Sequence, residues 1–446
     1  MTVTETLDQI HSLVTASELE ALSELVAETS SPDVADMVYR LPPVDAAVVY
    51  RLLHKDKAID VFERLDSAAQ ADLVTELAET EVVGVFEALD PDDIVGLLDE
   101  LPAKVTKRLL RTLSPRQRTA TAPILGYPHG SIGRRMTPEY VSARAEEPVA
   151  DVLVRLRRNA DSYETVYTVP IVDDARVLVG ICSLRDLLVA YEGAIIGDIM
   201  ELPASVRTLD DDETAARRLV DSGVLALPVV DNEDRLVGLF TIDDAVRIIR
   251  AEDDEDAART GGTEPLRRTY LLTSPFAMTK SRITWLLILA ISAILTINVL
   301  QIFEDALEEA YFLALFIPLL TGTGGNTGAQ AATTVTRSLA MNELNPRDTW
   351  KVAFKEIRTG FLLGLALGSL GFALATLVFG VDIGAVIGLT LVAVCTMAAT
   401  VGGLMPMLAT VVRVDPAVFS TPFISTFADA TGLIIYFSIA KAILGI

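Results

Sequence analysis

Leucine falls at positions 41, 53, 65, 77, 89, 101, 113 and 125, a spacing of twelve held over the first third of the chain. The intervening text repeats with it. LPPVDAAVVYRL, LDSAAQADLVTEL, LDPDDIVGLLDEL and LPAKVTKRLLRTL each open on Leu followed by Pro or Asp, residues that begin helices, and continue with apolar positions at helical spacing. One helix of this length cannot bury its own apolar stripe, so neighbours must stack. The pattern predicts a superhelix of short helices over residues 1–130. A plain helical bundle is the alternative and leaves the functional reading unchanged.

The periodicity then changes. TVPIVDDARVLVGICSLRDLL (168–188) matches ALPVVDNEDRLVGLFTIDDAV (226–246), setting Pro170 on Pro228, Gly180 on Gly238 and Ser183-x-x-Asp186 on Thr241-x-x-Asp244. Each copy reads as a short buried strand, an Asp-rich turn, a second strand and a helix. Helices at 148–159 and 212–222 complete two β-α-β-β-α units, 131–190 and 191–250. The doubled, colinear motif resembles a tandem pair of CBS domains. Helical spacing continues through VRIIRAEDDEDAARTGG until Gly261-Gly262 stops it. An acidic linking helix and connector fill 251–280.

Five long apolar runs follow, at 283–303, 310–336, 359–381, 383–412 and 416–440, and Asp429 is the charge within them. Spanning hydrocarbon takes roughly 20 helical residues, so residues 281–446 read as a transmembrane domain of five helices. Arg267, Arg268, Lys280, Arg282, Arg337, Arg347, Lys351, Lys355, Arg358 and Arg413 gather on one side, with Lys441 on the other. By the positive-inside rule the N-terminus is cytoplasmic and the C-terminus outside. The fold class is a multidomain membrane protein: helical N domain, α/β tandem CBS pair, long linking helix, five-helix membrane domain.

Composition sharpens this division. The chain carries 61 acidic and 37 basic residues, a net charge of −24, and nearly all the imbalance precedes residue 271. Nucleic acid is excluded as a partner, because phosphate contacts need clustered Lys and Arg. The acidic half suits cations, and adaptation to a salt-rich cytoplasm is the other reading. Cys182 and Cys395 are too few for a disulfide framework or zinc cluster. The N-terminus lacks an apolar core segment, so no cleaved signal peptide is expected.

Candidate chemistry concentrates in four places. Asp429, mid-helix in an apolar run, costs about 2.5–3.5 kcal/mol to insert and should face protein or water with a cation partner. A protonated Asp bonded to a neighbouring helix is the alternative. Around it Thr421, Ser425 and Thr431 add hydroxyls, and Pro422 frees a carbonyl one turn away; such oxygens suit a hard cation. TGTGGNTGAQ (321–330) reads as a break in the second run, lining a polar pore through Gly325, Asn326 and Gly328; close helix packing through glycine is the alternative. Asp92, Asp93, Asp244, Glu252, Glu255 and Asp256 form a cytosolic acid set. A divalent cation would draw it together and its removal would splay it. A solvated acidic face is the bland reading of the same residues. Ser183, Asp186, Thr241 and Asp244 fit an adenine nucleotide, hydroxyl on phosphate and carboxylate on ribose. No nucleophile and base share the membrane runs, since His11, His54 and His129 all lie outside them; an enzyme is not expected.

The order of these parts, with FIPLLTGTGGNTGAQAATTVTRSLA (316–340) and DPAVFSTPFISTFADATGLIIYF (415–437), closely resembles the MgtE-type magnesium channels. The resemblance implies a homodimer in the cell membrane with a pore between subunits lined by the second and fifth helices. It also implies hydrated Mg2+ at Asp429, Mg2+ as the ligand of the cytosolic acids, and gating through those acids; ATP or another adenine nucleotide in the CBS pair rests on the Ser/Thr-x-x-Asp motifs. Ala329 stands where that family writes Asn, and Gly96 and Arg247 stand where it writes acids; the latter two predict weaker closure by Mg2+. Another divalent cation such as Co2+ or Mn2+, or a membrane-anchored nucleotide sensor, is the alternative function. The lack of His and Cys near Asp429 argues against a soft metal.

Overall fold

The computed structural model describes residues 10, 12–14, 16, 18–86, 89–266, 270–341, 343–412 and 421–445. It holds two compact units, divided at Glu252/Asp253, with the short stretch ending at Thr273 belonging to the first.

The twelve-residue repeat folds as short helices in series: α1 Leu19–Glu28, α2 Ser31–Arg40, α3 Pro43–Arg51, α4 Lys55–Glu63, α5 Ser67–Glu76, α6 Glu79–Phe86, α7 Pro91–Glu100, α8 Ala103–Thr112 and α9 Pro115–Leu125. The repeated leucines cluster at helix ends, where Leu41, Leu65, Leu77, Leu89, Leu101 and Leu113 are buried in one continuous core reaching back to Ile10. Side-chain caps fix the starts. Ser30 accepts the Asp33 amide, Asp66 accepts the Ala69 amide at 2.7 Å, and Ser114 and Gln117 form a capping box.

The internal duplication gives two hairpins. After α10 (Val149–Asn159), β1 (Thr168–Val172) pairs antiparallel with β2 (Leu178–Ser183), followed by α11 (Leu184–Val189) and α12 (Ile196–Ile199). In the second copy β3 (Val206–Arg207) leads into α13 (Asp212–Ser222). β3 pairs parallel with β4 (Ala226–Val230), and β4 antiparallel with β5 (Leu236–Thr241). At the position of β3 the first copy has only an isolated parallel bridge, Ala143 to Ile171, with another between Tyr140 and Thr165. Arg176 and Asp234 occupy matching turn positions with φ of 65° and 59°. The hairpins also bond to each other, Leu178 N–H to Asp234 O and Leu236 N–H to Arg176 O. Helix α14 (Ile242–Thr260) continues without interruption from the second copy through the acidic run. It stops at Gly261 and Gly262, the latter at φ +67°.

In the second unit α15 (Pro275–Ile302) starts inside the stretch read as connector and is followed by α16 (Glu304–Glu309). Then come α17 (Ile317–Ala340), α18 (Thr349–Phe379), α19 (Val381–Val411) and α20 (Thr421–Leu444). Among the described residues four helices are long and apolar enough to cross a membrane, those within Pro275–Ile302, Pro346–Phe379, Val381–Val411 and Pro422–Leu444. Helix α17, with 24 residues, has the length but is diluted by Gly, Thr, Asn and Gln. The break expected at 321–330 is absent: α17 runs through it as a continuous helix. Packing explains why. Methyl groups added at Gly324, Gly325 and Gly328 would strike Val394, Ser425 and Ile424, so the glycines let α17 lie close against α19 and α20. Gly360, Gly364 and Gly368 do the same for α18 on α19, each facing backbone of the neighbouring helix.

Candidate functional site

Asp429 sits on α20, half-buried, and its carboxylate makes no hydrogen bond or ion pair among the described residues. Hydroxyls on α17 and α20 have their protons already committed. Thr327 donates to Thr323 O at 2.7 Å, Thr426 to Pro422 O at 3.0 Å and Thr431 to Phe427 O at 2.9 Å. A hydroxyl that donates to its own helix keeps its oxygen lone pairs for an incoming donor. Ser425 lies against Gly325, which ties α20 to α17 one turn before Asp429. Gly325 and Gly328 are buried in that contact, whereas Gly322, Asn326 and Gln330 are exposed and follow one another at four-residue spacing along α17. Elsewhere in this unit α15 and α18 expose Leu286, Ile291, Leu362 and Leu370 as lipid-facing surface would. The side chain of Thr421, the carbonyl expected to be freed by Pro422, Arg267, Arg268, Arg413 and residues 415–420 lie outside the described residues.

The second constellation is in the first unit, where α7 meets the CBS-like pair. Oxygen atoms of Asp92, Glu164 and Asp244 lie within 4.8 Å of one another. Asp92 is buried in the first turn of α7, a helix start whose amides favour negative charge. Glu164 is positioned by its amide bonding Glu139 O at 3.0 Å. Asp244, in the first turn of α14, accepts from the Thr241 hydroxyl at 2.8 Å. Asp92 Oδ1 and Glu164 Oε2 are buried without a hydrogen-bond partner. Burial, then the neighbouring acids, pushes Asp92 well above the ordinary carboxylate range, and burial with Asp90, Asp244 and Asp93 pushes Glu164 up to about 9. Asp93 is raised to about 7, mainly by burial and against the pull of Arg247. Two orphaned buried oxygens, on Asp92 and Glu164, beside the hydrogen-bonded carboxylate of Asp244 form a donor set that a hard divalent cation satisfies. Arg247 bonds Asp244 and lies 3.5 Å from Asp93 and 4.0 Å from Asp243.

Three family models match the chain in order. The MgtE intracellular N domain covers residues 9–130, the CBS domain 130–193 and 196–251, and a divalent cation transporter family, MgtE, 317–439. The magnesium transporter MgtE of Thermus thermophilus is 37% identical over 435 residues, 96% of each chain. The chain belongs to the MgtE family. The magnesium transporter MgtE of Bacillus subtilis is 28% identical over 445 residues, 99% of this chain and 98% of that one. A crystal structure of the cytosolic domain of the Mg2+ channel MgtE in complex with ATP matches with a TM-score of 0.51 and 33% identity, over 54% of this chain and 99% of that one.

Within this MgtE-family chain the structure gathers Asp92, Asp93 and Asp244 and adds Glu164, which the sequence reading missed. Glu164 lies between α10 and β1, in no repeat or motif; only the pairing of its segment with residues 137–141 brings it there. Glu252, Glu255 and Asp256 follow on α14, where Glu255 pairs with Arg259 one turn on. Ser183 and Asp186 form a capping box at the start of α11, with hydroxyl and carboxylate 2.5 Å apart. Thr241 and Asp244 repeat the contact, but Asp244 is also engaged by Arg247 and crowded by Asp92 and Glu164. The two Ser/Thr-x-x-Asp motifs therefore sit in unlike electrostatic settings.

Proposed function

We propose that this MgtE-family protein conducts magnesium ions across the cell membrane as a homodimer, with Asp429 holding the hydrated ion and the cytosolic acids sensing the same ion. The observation that carries the reading is the unpartnered carboxylate of Asp429 on α20 together with the polar side chains of Asn326 and Gln330, exposed on α17, the helix that α20 packs against. Neither is tolerated against lipid, and a second copy across a two-fold axis would turn both onto a shared aqueous path. Two Asp429 carboxylates then match one divalent charge. Acceptor-only hydroxyls accept hydrogen bonds from the ion's waters, which suits Mg2+, a cation slow to shed its hydration shell. Several weak oxygen contacts in place of one tight cage let the ion move on.

On the cytosolic side, the donor set of Asp92, Glu164 and Asp244, with Asp93 beside it, fits Mg2+. Binding there would favour a closed arrangement, and Glu252, Glu255 and Asp256 on α14 would extend the response. Ser183 and Asp186 are the better-disposed half of a site for ATP or a related adenine nucleotide. The segments read as domains are 1–130, 131–250, 251–280 and 281–446, with the N-terminus cytoplasmic and the C-terminus outside. Asp429→Ala should abolish magnesium-dependent growth of a transport-deficient host while leaving membrane expression intact. Growth at the wild-type level would refute the pore assignment.

A further inference from the structure

The seam between α7 and the CBS-like pair carries a dense negative charge. Asp90 at the cap of α7, Asp92 and Asp93 within it, Glu63 from α4, Glu139 and Glu164 from the strand-edge segments, and Asp243 and Asp244 from α14 form a chain of mutually repelling neighbours. Like charges this close oppose docking. Yet the surfaces meet, and a guanidinium lies between them. Arg247 leaves α14, hydrogen-bonds Asp244 on its own helix and reaches Asp93 on α7 at 3.5 Å. Burial works against its charge, but Asp244 and Asp93 more than offset that and hold it protonated.

The opposite end of α7 shows the same device. Asp99 receives a forked pair of bonds from Arg134, 2.7 Å from Nε and 2.5 Å from Nη2. Arg134 is itself buried and donates Nη1 to the carbonyls of Leu125 and Tyr127 at 2.9 Å. Helix α7 is thus gripped at both ends by arginines from the residues that follow the N domain.

We infer that Arg247, with Arg134, is a tethered cation that keeps the N domain docked on the CBS-like pair whether or not a divalent ion is present. The physical reason is concentration. A diffusible ion leaves its carboxylates when its concentration falls, whereas a guanidinium fixed to α14 stays charged and stays in place. The group of Asp92, Glu164 and Asp244 remains for a diffusible cation, which then adds to docking without creating it. This reverses the expectation from sequence, in which Arg247 merely removed a ligand. The inference deepens the sensing part of the proposal above and is independent of the pore part.

Hydrogen exchange of the full-length protein in detergent micelles tests it, with peptides covering α7 compared in EDTA and in saturating MgCl2. Wild type should keep α7 protected in EDTA, with MgCl2 adding a small further slowing. Arg247→Met, which keeps the apolar stem and loses the guanidinium, should speed α7 exchange in EDTA on the order of tenfold, the scale of a lost charge-assisted contact, and MgCl2 should restore it. Exchange in β4 and β5 reports whether the fold survives. Arg247→Lys, which keeps the charge but not the guanidinium's several donors, should fall between the two. Two results overturn the inference: wild-type α7 exposed in EDTA and protected only by MgCl2, or Arg247→Met indistinguishable from wild type in EDTA. Neither readout involves transport, so failure of Asp429 as the pore residue would leave it standing.

Discussion

Glu164 sits where two demands conflict, since its proton lets it lie beside Asp92 and Asp244 and a divalent cation must displace that proton. With its pKa pushed up to about 9, the docked state binds a proton that an undocked Glu164 has released. In EDTA, docking therefore weakens as pH rises from the ordinary glutamate range toward 9. Glu164→Gln is neutral at every pH and removes this penalty. It should raise the thermal midpoint of the cytosolic unit in EDTA at pH 8 by a few degrees, for a gain of about 1–3 kcal/mol. It should also flatten the pH dependence and shrink the stabilisation by MgCl2. Calorimetry with and without the metal checks both signs, and a variant less stable than wild type in EDTA would contradict the assignment. Residue-level legibility was uneven for the same reason. Asp92 and Asp244 announce themselves within repeats, whereas Glu164 belongs to no periodic pattern and becomes a neighbour only through backbone pairing with Glu139. The sign of Arg247's contribution depends on which acid it reaches, a distance no spacing encodes.

At the scale of elements, helix α17 shows how glycine is misread. Four glycines in ten residues lower intrinsic helix propensity, and that argument predicts a break. In a membrane the backbone must bond internally, and small residues gain close contact that offsets their low propensity. A methyl group at Gly402 on α19 would lie 2.2 Å from the Gly328 carbonyl oxygen, an unyielding backbone atom. Gly402→Ala should thus destabilise the membrane unit by about 1–3 kcal/mol, an overpacking effect. Gly322→Ala meets nothing within 4 Å and should leave thermal stability in detergent unchanged. Fluorescence-detected melting of the two variants separates packing from propensity: equal stability for both would contradict the packing account. Helices α10 and α13 and the four β-strands of the two hairpins, by contrast, were legible nearly to their ends, because a duplicated motif supplies two independent readings of one local structure.

At the scale of the whole molecule, the described chain leaves an account unsettled that a second copy would close. Asp429 has no partner among the described residues, and Asn326 and Gln330 lie exposed on α17, away from its contacts with α19 and α20. Single polar side chains exposed to lipid would each oppose insertion, so the alignment of Asn326 and Gln330 on α17 argues for a shared face, not two separate defects. The order of repeat, hairpin pair and apolar helices was visible in the sequence since each is periodic. The shared face was not, because its residues become a row only once α17 is known to be continuous. If the row flanks a two-fold axis, cysteines placed there should find each other across it. Native Cys182 and Cys395 are both buried and should not compete. Asn326→Cys should form an intermolecular disulfide under mild oxidation in native membranes, seen as a band of twice the mass without reductant. Leu362→Cys on the lipid-exposed side of α18 should stay monomeric under the same treatment. Cross-linking at Leu362 in place of Asn326 would move the interface to another face and leave Asp429 without the second carboxylate that the conduction proposal requires.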